Sequence, residues 1–249
     1  MTDWPQGYGL QVLEEVDSTL NEAARIAPGL SGPVWIMARR QTAARGRRGR
    51  PWIVPEGNLS ATLVMRPEGG PETAALRSFV AALALYDSIA DVTGRTDGLA
   101  LKWPNDVLLN GGKLAGILLE SAGSGGGLGY LAIGIGVNLA DAPPVEAVEA
   151  RAVRPVSLAG ETGVQITPDD FLSVLATHFD RYERQMSDFG FAPIRTAWLA
   201  RAAKLGEVIT ARTGQAETTG VFRSVDSAGN LVLETAQGAV SIPAAEIFF

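Results

Sequence analysis

The chain has 249 residues, a hydrophobic fraction of 46% and a formal net charge of -6, which predicts one large domain, or a main domain with a small addition. It contains no cysteine and a single histidine, which excludes disulfides, thiolate nucleophiles, multi-histidine metal sites and an ordinary Ser-His-Asp triad. The acidic balance argues against general nucleic-acid affinity, and neither a long apolar run nor a signal pattern at Met1–Gly9 occurs, so we expect a cytoplasmic protein with no DNA or membrane partner.

The first predicted elements are a strand and a helix. Loose alternation of apolar residues over Leu10–Val16 predicts the strand. The helix begins within Asp17–Glu22, where Thr19 followed by Glu22 predicts a capping box with Thr19 as the N-cap. On that interpretation the hydroxyls of Ser18 and Thr19 have a purely structural role.

A basic segment at Gln41–Trp52, with the sequence QTAARGRRGRPW, lies between two predicted strands, Val34–Ala38 and Leu59–Met65. Its arginines alternate with glycines, at Arg45, Gly46, Arg47, Arg48, Gly49 and Arg50. A packed core would not accept unpaired guanidinium groups, which instead suit phosphate or carboxylate. On its own the segment is equally well interpreted as a solvated basic loop, although strands at both ends place it well to close over a ligand.

The middle of the chain predicts a helix followed by a meander of strands. Apolar residues recur at helical spacing from Thr73 to Thr93, which predicts a core helix. The strands that follow are predicted at Leu99–Trp103, Val107–Leu109, Lys113–Glu120 and Tyr130–Leu139. A flexible tip is expected at Gly123–Gly129, and an irregular excursion at Ala140–Gly163.

The last part of the chain changes from helix to short strands. A helix begins at Thr167-Pro168 and carries His178, a surface or packing residue, and a last helix ends near Trp198. Short strands are then predicted at Val208–Ala211, Thr219–Val225, Leu231–Glu234 and Val240–Pro243. The whole pattern predicts an α+β fold: a mixed or antiparallel sheet with packed helices, then a small β-barrel.

Four sequence blocks together resemble biotin protein ligases. They are RGRRGRPW at 45–52, KWPND at 102–106, KLAGILLE at 113–120 and GIGVNL at 134–139. Their order and spacing are typical of that family, and the resemblance runs from about Leu13 to the C-terminus. It implies a class II synthetase-like catalytic domain at 1–203 and an SH3-like domain at 204–249. Too few residues precede Asp17 for a DNA-binding domain, so the monofunctional type is expected, as a monomer or homodimer.

The resemblance also implies a reaction. A carboxylic acid does not acylate an amine at neutral pH, because its oxygen is a poor leaving group. Ligases of this family use ATP and Mg²⁺ to activate biotin as biotinyl-5′-AMP, and then transfer biotin to a lysine of a biotin carboxyl carrier domain. Such a reaction needs arginines on a mobile loop, placed lysines, a carboxylate near the metal and a cover against water.

The site residues that the resemblance implies fall into three groups. Biotin contacts are expected from Ser18, Thr19, Gln41, Arg45, Arg47, Lys113 and Gly116. Nucleotide contacts are expected from Arg47, Arg48, Arg50, Trp52, Asn105 and Asn138. The catalytic groups are Lys102, Asp106, Lys113 and Arg47. Asp106 has two possible roles, as a Mg²⁺ ligand or as the base that receives the proton of the incoming amine. Asn138 has a structural alternative, since it can bond the backbone at a strand end.

Two positions depart from the family pattern. Leu20 stands where an asparagine is expected, with Asn21 one place later, and Ala44 stands where glycine is usual. If Ala44 needs a positive φ, alanine costs on the order of 1 kcal/mol there. Without ligand the loop arginines have no charge partners and repel one another, so we expect Ala44–Trp52 to be disordered until an anionic ligand binds.

Two alternatives stay open. Enzymes that transfer lipoate or octanoate to a lysine share the fold, but they lack the pairing of RGRRGRPW with KWPND. A non-enzymatic binder that grips RNA or an acidic protein with the basic loop leaves Lys102, Asp106 and Lys113 unexplained.

Overall fold

The computed structural model describes residues 4–123, 127–148, 152–214 and 216–248. Within these residues the chain forms a seven-stranded sheet, a helical layer and a separate five-stranded sheet. The predicted α+β fold is confirmed. Part of the expected flexible tip and part of the excursion, residues 124–126 and 149–151, lie outside the described residues.

The first sheet is mixed. Its strands are β1 (Gly9–Val16), β2 (Val34–Gln41), β3 (Leu59–Met65), β4 (Leu99–Lys102), β5 (Asp106–Leu109), β6 (Gly112–Ala122) and β7 (Tyr130–Val137). Their order across the sheet is β1-β2-β3-β7-β6-β5-β4. Only β1 and β2 pair in parallel, and every other neighbouring pair is antiparallel. The basic loop follows directly after the carboxyl-terminal end of β2.

Helices cover both faces of this sheet. They are α1 (Thr19–Ile26), α2 (Pro71–Ala75), α3 (Arg77–Thr93), α4 (Leu158–Thr162), α5 (Pro168–Phe189) and α6 (Phe191–Leu199). The main core lies between the sheet and the layer formed by α3, α5 and α6, where Trp35 meets Phe179 edge-on with ring centres 5.8 Å apart. On the opposite face α1 buries Leu20 and Ala23 against the side chains of alternate strand residues.

The segment Pro71–Thr93 is long and apolar enough to cross a membrane by length and composition, but 72% of its most apolar window is buried inside the protein. Its apolar side chains therefore serve the core. The sequence predicted one helix from Thr73 to Thr93, whereas the structure divides this stretch at Leu76 into α2 and α3.

The predicted capping box is wrong by one residue. The N-cap of α1 is Ser18, whose Oγ accepts a hydrogen bond from the backbone N–H of Leu20 at 3.2 Å. The side chain of Glu22 pairs with Arg25 instead of reaching back to the N-cap. Thr19 is free of the capping role because its hydroxyl is used by residues of β2 and β3, a tertiary contact that no local pattern indicates.

The C-terminal unit is a five-stranded antiparallel sheet. It consists of β8 (Val208–Thr213), β9 (Ala216–Val225), β10 (Leu231–Thr235), β11 (Gly238–Ile242) and β12 (Glu246–Phe248), in the order β11-β10-β9-β8-β12. The short strand β12 was not predicted. The unit packs against the first sheet: Trp103 Nε1 donates to the carbonyl of Gly229 at 3.0 Å. This contact holds the C-terminal unit beside the KWPND turn, and β12 lies at the cavity described below.

Candidate active site

A single cavity of about 660 Å³ collects the predicted site residues. It lies on the α1 face of the seven-stranded sheet, away from the main core. All fourteen candidates line it: Ser18, Thr19, Gln41, Arg45, Arg47, Arg48, Arg50, Trp52, Lys102, Asn105, Asp106, Lys113, Gly116 and Asn138. Side chains from the loop, both ends of the sheet and the C-terminal unit thus meet in one place.

The floor of the cavity contains two glycines that permit a close approach by Trp52. A Cβ at Gly136 would lie 2.5 Å from Trp52 Nε1, and a Cβ at Gly116 would lie 3.4 Å from the same indole. Any larger side chain at Gly136 would displace the indole. Lys113 Nζ lies 5.4 Å from the centre of the Trp52 ring. Trp52 is therefore held flat over the sheet, with its ring available for stacking on a planar ligand.

One end of the cavity is a buried polar cluster. Thr19 donates to Gln41 Oε1 twice, from its backbone N–H at 2.8 Å and from its Oγ1 at 3.2 Å. Thr62 Oγ1 donates to Thr19 Oγ1 at 2.8 Å. These bonds fix the rotamers of the three side chains, so their remaining donors and acceptors point in set directions. Such a preorganised set suits a small polar head group.

The opposite end carries Lys102, Lys113 and Asp106, and the carboxylate of Glu246 is close enough to act on Lys102. Lys113 Nζ forms an ion pair with Asp106 Oδ1 at 2.7 Å, although its direction does not satisfy hydrogen-bond geometry for that oxygen. Lys102 is the register partner of Asp106 across β4 and β5. Burial lowers the pKa of Lys102, and the nearby charge of Lys113 lowers it further, while Asp106 and Glu246 partly offset both effects. Excess positive charge is thus gathered where an anion would bind.

The residues around Asp106 fit a magnesium ion only in part. Within the described ranges there is no group of three or more Asp, Glu or His residues that would enclose a metal. Asn105 already uses its amide, because Nδ2 donates to the carbonyl of Ile117 at 2.6 Å. Glu246 also lines the cavity, but its oxygens pair with Arg48, Arg50 and Arg212. Asp106 is left to offer a carboxylate oxygen, which matches Mg²⁺ that is carried mainly by substrate phosphates rather than by a protein cage.

The arginines of the loop have acidic partners, so the expectation that they lack charge partners is wrong. Arg45 forms a bidentate pair with Glu120, with Nε–Oε1 at 3.0 Å and Nη2–Oε2 at 2.8 Å, and it also donates to Asn21 Oδ1 at 2.7 Å. Arg48 and Arg50 both contact Glu246 Oε1, at 3.0 and 2.5 Å. These carboxylates come from β6 and β12, far from the loop in sequence. They give the loop a defined conformation in this structure.

Arg47 is held more loosely than its neighbours. Its Nη1 lies 3.4 Å from both Asn105 Oδ1 and the carbonyl oxygen of Ala245. Burial lowers the pKa of this guanidinium, and the adjacent positive charges of Arg48 and Arg50 add to that effect. A half-buried cation with only long hydrogen bonds gains most from an anionic ligand.

The strain expected at Ala44 lies elsewhere in the loop. Among the described residues with positive φ, Arg48 stands at 59° and Ala44 does not appear. The left-handed conformation of Arg48 interrupts the 3₁₀ turn Arg47–Gly49, and the side chain of Arg48 pairs with Glu246. Alanine at position 44 therefore carries no left-handed strain.

Asn138 is used as a structural brace. Its Nδ2 donates to the carbonyl of Val156 at 3.0 Å, and its backbone N–H donates to the carbonyl of Leu114. The side chain is almost fully buried at the end of β7. These bonds match the structural alternative, while the nucleotide contact of Asn138 stays a prediction.

Three residues of the site were missed by sequence reasoning: Ser60, Glu120 and Glu246. Glu120 ends the KLAGILLE block, and its place opposite a basic loop was a usable signal. Ser60 and Glu246 had none, because their roles depend on strand register and on the placement of the C-terminal unit. Burial by itself would raise the pKa of Glu246, but hydrogen bonds from Arg212 and Arg50 outweigh burial and lower it to about 2. Its carboxylate is therefore charged at any physiological pH.

The contact between the loop and Glu246 gives a testable expectation. Replacing Glu246 by glutamine removes the charge that Arg48 and Arg50 share, so the loop should open more often. Limited trypsin digestion should cut Glu246→Gln after Arg47 or Arg48 roughly 10-fold faster than wild type, for a loss of about 1.4 kcal/mol. Biotin with ATP and Mg²⁺ should restore protection, and ATP alone should protect less.

The matched control is Glu207→Gln, which removes a carboxylate that pairs with Lys204 on the surface of the same C-terminal region. This control should be cut at the wild-type rate. Equal cleavage of Glu246→Gln and wild type would contradict a role for Glu246 in holding the loop.

Comparison with known proteins agrees with this site. The sequence matches the Biotin/lipoate A/B protein ligase family over residues 12–138 and the Biotin protein ligase C terminal domain over residues 204–249. It is 58% identical over 238 residues to the biotin--[acetyl-CoA-carboxylase] ligase of Paracoccus denitrificans, covering 96% of this chain and 99% of that protein. The ligase of the same name from Mycobacterium tuberculosis is 30% identical over 247 residues, covering 96% of this chain and 88% of that protein.

Comparison with solved structures indicates the same family. The structure is similar to that of biotin protein ligase from Aquifex aeolicus in complex with biotin and ATP, with a TM-score of 0.78 and 26% identity. That similarity covers 96% of this chain and 97% of the Aquifex chain. The matches include both the catalytic part and the C-terminal unit, and they confirm the family that the four sequence blocks indicated. The chain therefore belongs to the biotin protein ligase group of the biotin/lipoate A/B protein ligase family.

Proposed function

We propose that this protein activates biotin with ATP as biotinyl-5′-AMP and transfers biotin to a lysine of the carrier domain of a biotin-dependent carboxylase. The observation that carries the proposal is the polarity of this cavity. A fixed hydrogen-bonding cluster at Thr19 and Gln41 occupies one end, and the cations Lys102 and Lys113 occupy the other. A molecule with a polar head, an apolar tail and a terminal carboxylate fits this arrangement.

In the first step the biotin carboxylate oxygen attacks the α-phosphorus of ATP, and pyrophosphate leaves. Both reactants are anions, so the main barrier that the protein lowers is their repulsion. Lys113 lies beside Asp106 at the far end of the cavity and would neutralise the carboxylate and the phosphate as they approach. Lys102 would offset the negative charge that grows in the transition state. Holding the two reactants in line lowers the activation free energy further.

A Mg²⁺ ion is part of the proposal, and one residue is suited to hold it. Asp106 offers a single carboxylate oxygen, so most ligands would come from the phosphates and water. Bound there, the ion would shield phosphate charge. The contribution of Asp106 that depends only on this chain is to orient Lys113 through their 2.7 Å ion pair.

In the second step a carrier lysine attacks the mixed anhydride, and AMP leaves. The amine loses a proton during this attack, and Asp106 is placed to receive it once the reaction has displaced Lys113 from its carboxylate. Until the carrier arrives, the anhydride must be kept from water. The arginine loop and Trp52 would form that cover, since both line the cavity.

The lipoate and octanoate alternative fits less well. An octanoyl chain has no polar head, and binding one would bury the Thr19–Gln41–Thr62 cluster against hydrocarbon at a cost of about 1–3 kcal/mol per unsatisfied group. A cyclic urea offers both N–H donors and a carbonyl acceptor to the same cluster. The polar end of the cavity thus favours biotin.

One assay tests the proposal. The protein is incubated with ATP, Mg²⁺ and either biotin, lipoate or octanoate, and an apo carrier domain of a biotin-dependent carboxylase is then added. We expect the mass of the carrier to increase by one biotinyl group with biotin, and to stay unchanged with the other two acids. A carrier in which the acceptor lysine is replaced by arginine should not be modified. Modification by octanoate or lipoate, or by none of the acids, would contradict the proposal.

A further inference from the structure

Ser60 is a buried hydroxyl in the wall of the cavity that no interaction within the protein accounts for. Its side chain is 3% exposed, and its Oγ has no hydrogen-bond partner among the described residues. Buried polar atoms without a hydrogen-bond partner are uncommon in folded proteins, and a ligand can be the missing partner. Ser60 is also absent from the groups already assigned to catalysis, biotin binding or nucleotide binding.

Strand register shows that this hydroxyl faces the ligand. Ser60 on β3 is the partner of Gly136, Gly136 is the partner of Gly116, and Gly116 is the partner of Asp106. Residues directly opposite one another project from the same face of a sheet. A Cβ at Gly136 would meet the Trp52 indole, so this row faces the cavity. Ser60 itself lines the cavity.

The row Ser60–Gly136–Gly116–Asp106 begins, at Ser60, at the end of the cavity that holds the Thr19–Gln41–Thr62 cluster. Three interstrand spacings separate Ser60 from Asp106, or about 14 Å. Along β3, Thr62 comes two residues later on the same face, and its Oγ1 is bonded to Thr19. The Trp52 indole lies on the two glycines of this row in the free protein, so it has to move aside when the substrate binds. With the substrate carboxylate near Lys113 and Asp106, a tail of five carbons then crosses the glycines and brings the ring system to Ser60. The hydroxyl thus stands beside the cluster that receives the head group.

We infer that Ser60 is a further specificity residue, whose Oγ hydrogen-bonds the cyclic urea of biotin across the strand from the Thr19–Gln41–Thr62 cluster. This inference rests on the proposed function. The Ser60 hydroxyl has no hydrogen-bond partner among the described residues. The urea supplies one, which a purely hydrocarbon acid does not do. Ser60 thereby adds to the selection of biotin over an alkyl acid.

The test compares Ser60→Ala with a second buried serine. Ser88→Ala in α3 is the control, since Ser88 is fully buried and its Oγ donates to the carbonyl of Ala84 at 2.7 Å, in the main core on the other side of the sheet. Dissociation constants are measured by calorimetry for biotin and for desthiobiotin, which keeps the urea and lacks the sulfur. The melting temperature of each variant is measured without ligand.

Ser60→Ala should weaken both ligands by roughly 3- to 10-fold, the effect of one neutral hydrogen bond. Its melting temperature should stay at the wild-type value, because the hydroxyl bonds no protein group. Ser88→Ala should bind both ligands as tightly as wild type, while its melting temperature falls. Ser60→Cys, which keeps the size and a weak donor, should give an intermediate loss of affinity.

Three outcomes would overturn the inference. One is unchanged affinity of Ser60→Ala for both ligands, and another is a loss confined to biotin, which would assign the contact to sulfur. The third is a fall in melting temperature without a change in affinity, which would assign Ser60 to the fold. Failure of the proposed function is distinguishable, since the wild-type protein itself would then bind neither ligand.

Discussion

Replacing Lys113 by alanine is expected to lower biotin-dependent exchange of pyrophosphate into ATP by at least about 100-fold, the usual cost of removing one group that stabilises transition-state charge. In the free protein Lys113 Nζ neutralises Asp106 at 2.7 Å. Without it, three negative groups would meet at one end of the cavity: Asp106, the biotin carboxylate and the α-phosphate. Lys102 alone would not balance them, and burial already lowers the pKa of that lysine.

The fold of Lys113→Ala should survive, because the side chain is partly exposed and leaves no large cavity. Equal far-ultraviolet circular dichroism and an equal elution volume would establish this. Lys204→Ala is the control, since Lys204 lies outside the cavity and pairs with Glu207 at 2.9 Å. This control should exchange at the wild-type rate. A folded Lys113→Ala protein with near wild-type exchange would show that the assignment of Lys113 is wrong.

Replacing Arg47 by glycine is expected to separate the two half-reactions. Arg47 has only 3.4 Å contacts in the free protein, so its guanidinium is available to the phosphate that links biotin to adenosine. A charge-assisted hydrogen bond is worth about 1.5–3 kcal/mol, so its loss should speed release of the adenylate by roughly 10- to 100-fold. Adenylate synthesis should stay detectable, because Lys102 and Lys113 are unchanged.

The released adenylate gives the measurement. Free biotinyl-AMP reacts with exposed lysines, so an unrelated bystander protein should become biotinylated by Arg47→Gly and hardly at all by wild type. Arg40→Gly is the control, because Arg40 is exposed on β2, pairs with Glu15 and does not line the cavity. If Arg47→Gly labels the bystander no faster than Arg40→Gly does, Arg47 has a role other than retaining the intermediate.

Much of the fold followed from local patterns in the sequence. Alternation located the strands of the first sheet within a few residues, and helical spacing located α3 and α5. These signals work because side chains repeat every two residues in a strand and every 3.6 in a helix. The strand β12 was missed, since three residues are too few for a period. It nevertheless brings Glu246 to the site.

The chemistry of the site was also largely readable from sequence, through blocks that keep their residue types together. RGRRGRPW, KWPND and KLAGILLE each contribute side chains to one cavity. The glycines of GIGVNL could be recognised in the same way, because only glycine allows the indole of Trp52 to approach β7 so closely. Trp52 and Gly136 are distant in sequence, but the need for glycine at their contact still leaves a local signature in the block.

The tertiary structure alone decided which partners these side chains have. Thr19 does not have its predicted capping role, because its hydroxyl is hydrogen-bonded to Gln41 and Thr62. The loop arginines form ion pairs with Glu120 and Glu246. The register of β3 against β7 determines that Ser60 faces the cavity. Each of these contacts joins residues far apart in sequence. Local periodicity therefore determined the elements and the residue types of the site, whereas charge pairing and ligand-facing register arose only when distant strands packed together.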